Sequence, residues 1–178
     1  MQKHTISILV NNHPGVLQRI CGLFGRRGYN IDSISVGTAE EEGLSRVVIT
    51  LKGTDTTLEQ IGRQLEKLID VIGVVHVSRY PMVSRELMLV KLRVEPATRP
   101  EIFGIVETFR CSVIDIGTNS VVVQVVGDTD KNNAFLHVLK PYGILELTRT
   151  GETAMNRGEG QAGIASFNES SPFLSSLA

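Results

Sequence analysis

The chain has 178 residues, 42% of them hydrophobic, with 18 Lys and Arg against 19 Asp and Glu and a formal net charge of −1. This is the composition of a packed globular protein with room for one domain or two small ones, and it argues against wholesale disorder and against an extended phosphate-binding surface. No run approaches the ~18 apolar residues of a membrane-spanning helix, and Met1-Gln2-Lys3-His4 leads straight into a strand without an apolar signal region, so a cytoplasmic location is expected.

The first element is a strand over Thr5 to Val10, with Ile6, Ile8 and Val10 alternating against Thr5, Ser7 and Leu9. Asn11-Asn12-His13-Pro14-Gly15 then turns the chain into a helix over 14–28, whose stripe is Val16, Leu17, Ile20, Leu23 and Phe24. Ile31 to Val36 and Leu44 to Leu51 read as two strands joined by the acidic turn Ala39-Glu40-Glu41-Glu42-Gly43, which is expected to be a solvated hairpin loop. Thr56-Thr57-Leu58-Glu59 has capping-box spacing before a helix carrying Leu58, Ile61, Leu65, Leu68 and Ile69, and Ile72 to Arg79 reads as the closing strand.

The same order then repeats. Met88, Val90, Leu92 and Val94 line one face of a strand, and Thr98-Arg99-Pro100-Glu101 reads as a capping box leading into Ile102, Ile105, Val106 and Phe109. Ser112 to Ile116 and Val121 to Val126 are strands, Asp128 or Asp130 caps a helix with Ala134, Phe135, Val138 and Leu139, and Ile144 to Thr150 closes the unit. Each half therefore reads as an α+β, ferredoxin-like βαββαβ domain with an antiparallel sheet and both helices on one face. The expected divisions are residues 1–79, a linker at 80–85, a second domain at 86–150 and a flexible, Gly- and Ser-rich tail at 151–178. Small sheets with an open face favour pairing between copies, so a homodimer through the first half is expected.

Several function classes find no support. RNA-binding domains of this topology need stacking aromatics on their central strands, and Thr5 to Val10 and Leu44 to Leu51 contain none. Cys21 and Cys111 form no C-x-x-C, and His4, His13, His76 and His137 stand singly, so neither a metal site nor a disulfide framework is indicated and both cysteines read as small core residues. No nucleophile elbow, Walker loop or Rossmann fingerprint is present, which leaves a ligand-binding, non-catalytic protein as the better class.

The first strand-to-helix loop carries the best candidate chemistry. Pro14 suits a helix's first turn, Gly15 leaves backbone amides uncovered, and the helix N-terminus favours an anion such as a carboxylate, while Asn12 can donate and accept. The same residues also suit a plain strand-to-helix turn.

Five runs carry a family resemblance: N-N-H-P-G-V-L at 11–17, R-R-G-Y-N-I at 26–31, L-S-R at 44–46, R-E-L-M-L-V-K at 85–91 and G-I-L-E-L-T-R-T-G at 143–151. Over residues 1 to about 158 the chain resembles the small regulatory subunits of acetolactate synthase, also called acetohydroxyacid synthase. The resemblance implies an N-terminal ACT domain that dimerises and binds valine or another branched-chain amino acid at the subunit interface for feedback inhibition. It implies a large catalytic partner, activated by this subunit, that carries thiamine diphosphate, magnesium and FAD, with no cofactor on this chain. Carried to matching positions, Asn12 and Gly15 would hold the effector's polar end, and Asn30 and Ile31 would approach from the partner chain. Val16, Leu17 and Val36 would line the apolar part. A stand-alone ACT-domain regulator of another enzyme or of transcription is the competing class, although no helix-turn-helix or basic segment is evident.

Overall fold

The computed structural model describes residues 2–158, which divide into two compact units. The first contains β1 (Gln2–Asn11), α1 (Val16–Arg26), β2 (Ser33–Thr38), β3 (Leu44–Gly53), α2 (Asp55–Leu65) and β4 (Val71–His76), with a 3-10 turn at Val77–Arg79. The second contains most of β5 (Met82–Arg93), then α3 (Arg99–Thr108), β6 (Ser112–Ile116), β7 (Ser120–Gly127), α4 (Thr129–Leu139) and β8 (Ile144–Arg149). The sheet orders are β2-β3-β1-β4 and β6-β7-β5-β8, all antiparallel, so both units are ferredoxin-like.

The period-two pattern of β1 does what it predicts. Ile6, Ile8 and Val10 sit opposite Ile49, Val47 and Ser45 of β3, and the apolar members of this face pack with Val16, Ile20, Leu23 and Phe24 of α1 and Leu58, Ile61 and Leu65 of α2. Each such side chain contributes about 1.5–3 kcal/mol on full burial. In the second unit Met88, Val90, Leu92, Val121, Val123 and Val125 meet Ile102, Val106, Phe135 and Leu139, and the Phe109 and Phe135 rings meet edge-on with centroids 5.2 Å apart.

Two of the family-resembling runs meet in a buried polar clamp of the second unit. Glu86 of β5 takes Arg149 Nε at 2.9 Å and Nη2 at 2.5 Å, and Arg149 also donates to Asn133 of α4 at 3.0 Å. Asn132, fully buried, donates to the Glu86 backbone oxygen and carboxylate at 3.2 Å each. A carboxylate that is only 6% exposed must be paired to be tolerated, and this bidentate fork ties β5, β8 and α4 together.

Several boundaries differ from the sequence reading, each for a local reason. The first capping residue is Thr54, whose Oγ1 accepts from Thr57 N at 3.2 Å, so the true cap lies two residues before the expected Thr56 box. Thr98 makes no side-chain cap, because its hydroxyl turns back to the backbone oxygen and amide of Glu95. The last strand of the first unit stops at His76, since Val77–Arg79 winds into a 3-10 turn. Of the expected linker at 80–85 only Tyr80 and Pro81 lie outside regular structure, because β5 already begins at Met82.

Residues 153–156 of the expected flexible tail form a strand, β9, which pairs with β5. Residues 154–158 belong with residues up to 83 in the first unit, where Asn156 Nδ2 donates to Val77 O at 3.0 Å and Arg157 N to Pro81 O at 2.8 Å. Val48, Val77 and buried Ala154, with Val75 and Met82, form a second cluster on the sheet face away from the helices, so that face is not bare as expected. The rest of the tail, 159–178, lies outside the described residues. Cys21 is exposed rather than the core residue expected of it, whereas Cys111 is half-buried and packs against the second core.

Candidate functional site

The site begins where β1 ends. Asn11 N–H donates to Asp70 O at 2.9 Å and Asn12 N–H to Gly43 O at 2.7 Å, which ties the loop to the start of β4 on one side and to the β2–β3 hairpin on the other. The Asn12 side chain is exposed, and no hydrogen bond holds its amide among the described residues. Gly15 is the N-cap of α1 at φ +88°, a left-handed conformation that glycine adopts without strain.

α1 differs from the other helices at this end. α2 and α4 are capped by Thr54 and Asp128 and carry Asp55 and Asp130 in their first turns, and α3 has Pro at its start and Glu101 in its first turn. α1 has neither a side-chain cap nor an acid. The amides of Gly15, Leu17 and Gln18 find no acceptor among the described residues. Free amides at the positive end of a helix dipole suit a carboxylate.

Arg19 and Asp70 complete this end and were missed by the sequence reading. The Arg19 guanidinium pairs with the Asp70 carboxylate, which is only 9% exposed, and its Nη1 lies 3.5 Å from where a Gly15 side chain would begin. His13 Nδ1 stands 3.7 Å from the same carboxylate. The one available signal was Arg19 at helical spacing i+4 from Gly15. Asp70 lies 51 positions from Arg19 and gave none.

The second half of the predicted site lies at the other end of α1. Gly28, φ +68°, ends the helix in a Schellman turn, with Tyr29 N–H donating to Phe24 O at 3.0 Å and Gly28 N–H to Gly25 O at 3.1 Å. That turn delivers exposed Asn30, whose Nδ2 donates to Asp32 Oδ1 at 3.3 Å, and Ile31, half-buried against the core. Asp32 N–H bonds Thr50 O at 2.9 Å, whereas the Asn12 end of the sheet is level with Leu44. Six rungs at ~3.3 Å put the two halves about 20 Å apart within one chain.

Of the residues expected to line the site, Leu17 is 43% exposed and Val36 50%, with Val36 on β2, an edge strand of the sheet. Val16 corrects the expectation: at 5% exposure its side chain belongs to the core. The L-S-R run is explained by the hairpin, where Arg46 holds Glu40 through two 2.9 Å contacts and donates to Ser7 Oγ at 3.2 Å. A backbone hydrogen bond, then Arg46, keeps the Glu40 carboxyl below its ordinary range. Among the described residues no three His, Cys, Asp or Glu side chains gather as metal ligands.

A ferredoxin-like unit with an uncapped, glycine-led helix after its first strand, followed by a second unit of the same topology, defines a protein of the ACT-domain class. Comparison with known proteins narrows this. The family described as the AHAS small subunit-like ACT domain matches residues 6–73, and that described as the small subunit of acetolactate synthase matches 85–158. A probable acetolactate synthase small subunit of Archaeoglobus fulgidus is 46% identical over 156 residues, covering 88% of this chain and 98% of that one. The acetolactate synthase small subunit of Bacillus subtilis is 48% identical over 161 residues, covering 89% and 93%. The crystal structure of the small subunit from Thermotoga maritima superposes with a TM-score of 0.84 at 42% identity, covering 89% of this chain and 99% of that one. The chain belongs to the acetolactate synthase small-subunit family, which acts in branched-chain amino-acid synthesis.

Proposed function

We propose that this chain is the non-catalytic, regulatory subunit of an acetolactate synthase, and that a branched-chain amino acid, valine first, is bound between two copies of its first unit. The reading rests most on one observation. The two halves of the site stand about 20 Å apart at opposite ends of β2, too far for one small amino acid to touch both in one chain. A two-fold axis beside that edge strand sets the end of one β2 against the beginning of its partner's, so that Asn12 and Gly15 of one protomer face Asn30 and Ile31 of the other.

The chemistry is complementary to a zwitterion with a short apolar side chain. The free amides of α1 and the Arg19 guanidinium receive the carboxylate, the Asn12 and Asn30 amides receive the ammonium group, and Leu17, Ile31 and Val36 enclose the alkyl group. Each dimer makes two such sites. By bridging two chains, the effector favours the dimer arrangement that closes on it, and it shifts the equilibrium only by its affinity difference between arrangements.

The large partner is the thiamine-diphosphate-dependent catalytic chain, which holds magnesium and FAD as well, and this subunit raises its activity when valine is absent. Reconstitution tests this directly. The purified chain should bind the large subunit, accelerate acetolactate formation and render it sensitive to valine. A large subunit whose rate and valine response are the same with and without this chain would refute the reading.

A further inference from the structure

The helix-covered side of the first unit carries a trough of about 630 Å³ between the end of α1 and the last turns of α2, lined by Arg27, Tyr29, Gln60, Arg63, Gln64, Glu66 and Lys67. Three cations face a single acid there. None of Arg27, Arg63 and Lys67 has a carboxylate partner among the described residues, and it is their gathering around one trough that sets them apart from the other unpaired cations of the surface. Cations at helix C-termini offset the dipole, which accounts for the sign of each residue taken singly. It does not account for three of them bordering one trough with a single carboxylate, Glu66, among them.

We propose that this trough docks an acidic segment of the large catalytic chain, an inference resting on the reading of this protein as that chain's regulatory subunit. Pockets for small molecules are mostly apolar and enclosing. Here the walls are long polar side chains, and Arg27, Gln60, Arg63, Glu66 and Lys67 are all exposed. Such a surface fits a protein segment bearing two or more carboxylates, which would neutralise the surplus of two positive charges and steer association.

The trough also adjoins the effector site. Arg27 and Tyr29 belong to the Schellman turn that delivers Asn30 and Ile31. Tyr29 packs its ring on the core and donates its hydroxyl to Gln60 Oε1 at 3.3 Å, linking that turn to α2. An effector that draws Asn30 and Ile31 toward a second protomer therefore acts on a segment that also forms one wall of the docking surface, which gives valine a short route to the catalytic chain.

The test is the affinity of the complex, measured by sedimentation or interferometry with the large subunit across a salt series. Arg63→Glu with Lys67→Glu should weaken binding at least tenfold at low salt and flatten its salt dependence, with valine binding to the free small subunit unchanged. Lys52→Glu with Lys140→Glu makes the same net-charge change on exposed residues elsewhere and should alter affinity less than threefold. Equal losses in both double variants, or no loss in the first, would overturn the proposal. A complete absence of complex with the unsubstituted chain would instead refute the subunit reading beneath it.

Discussion

Gly15→Asp separates binding from folding, because its effects on stability nearly cancel. The left-handed backbone costs a non-glycine residue about 1–2 kcal/mol, and φ at this position is +88°. Against that, an acid at an N-cap gains roughly a few tenths of a kcal/mol over glycine by capping and roughly 0.3–1 kcal/mol through the dipole. The nearest neighbour of an added β-carbon is Arg19 Nη1 at 3.5 Å, an ordinary contact to a cation. The net change is expected within about 1 kcal/mol, or no more than about 4–8 °C in Tm for a unit of this size.

Binding should respond very differently. The introduced carboxylate takes the amides that the effector needs, removing charged hydrogen bonds worth about 1.5–3 kcal/mol, and it repels the incoming carboxylate by a comparable amount. Together these predict a loss of valine affinity of at least 100-fold, about 2.7 kcal/mol. Calorimetric titration of the dimer with valine reads this, and thermal unfolding reads stability. Gly143→Asp, at φ +83° in the second unit, is the control for backbone strain and should leave valine affinity unchanged. A Gly15→Asp dimer that folds and binds valine within threefold of the unsubstituted protein would refute the placement of the carboxylate.

Two further predictions concern the scaffold. The His76 ring lies against α2, so that a β-carbon at Gly62 would meet its Nε2 at 2.6 Å, and Gly62→Ala should destabilise the first unit by about 1–3 kcal/mol on thermal unfolding. Burial, then the Arg79 charge, lowers the His76 pKa below 6.5, so the unfolded chain binds its proton first. Stability from this group is complete above pH 6.5 and falls as pH drops toward the folded value; His76→Asn should flatten that slope between pH 7 and 5. Glu86→Gln leaves Arg149 without its ion pair and should cost the second unit about 3–5 kcal/mol, read as a selective loss of hydrogen-exchange protection in β5 and β8.

Most of the fold was legible because its elements obey their periods. Ile6, Ile8 and Val10 announced a one-faced strand, and the glycine-bearing turns between apolar runs announced the hairpins. What escaped the sequence was decided by partners distant along the chain or by competing local bonds. Thr56 and Thr54 are equally good caps by residue type, and in the fold it is the Thr54 hydroxyl that accepts from Thr57 N. Thr98 prefers the Glu95 backbone to its own helix. β9 is short and polar at its ends, so nothing in Thr153–Asn156 marks a strand until β5 is beside it. The candidate site divides in the same way. Asn12, Gly15, Asn30 and Ile31 stood out as turn residues, whereas Val16 joined the core and the Arg19–Asp70 pair depended on a contact between α1 and the residue preceding β4.

The central claim, that each effector site draws on two chains, is tested most directly by mixing two defective variants. Gly15→Asp and Asn30→Ala homodimers should each bind valine weakly or not at all. In a mixed dimer, both lesions fall on one site and the other is intact, so calorimetry should recover one tight site per heterodimer. If both homodimers fail and the purified heterodimer fails as well, the two halves act within one chain and the account is wrong.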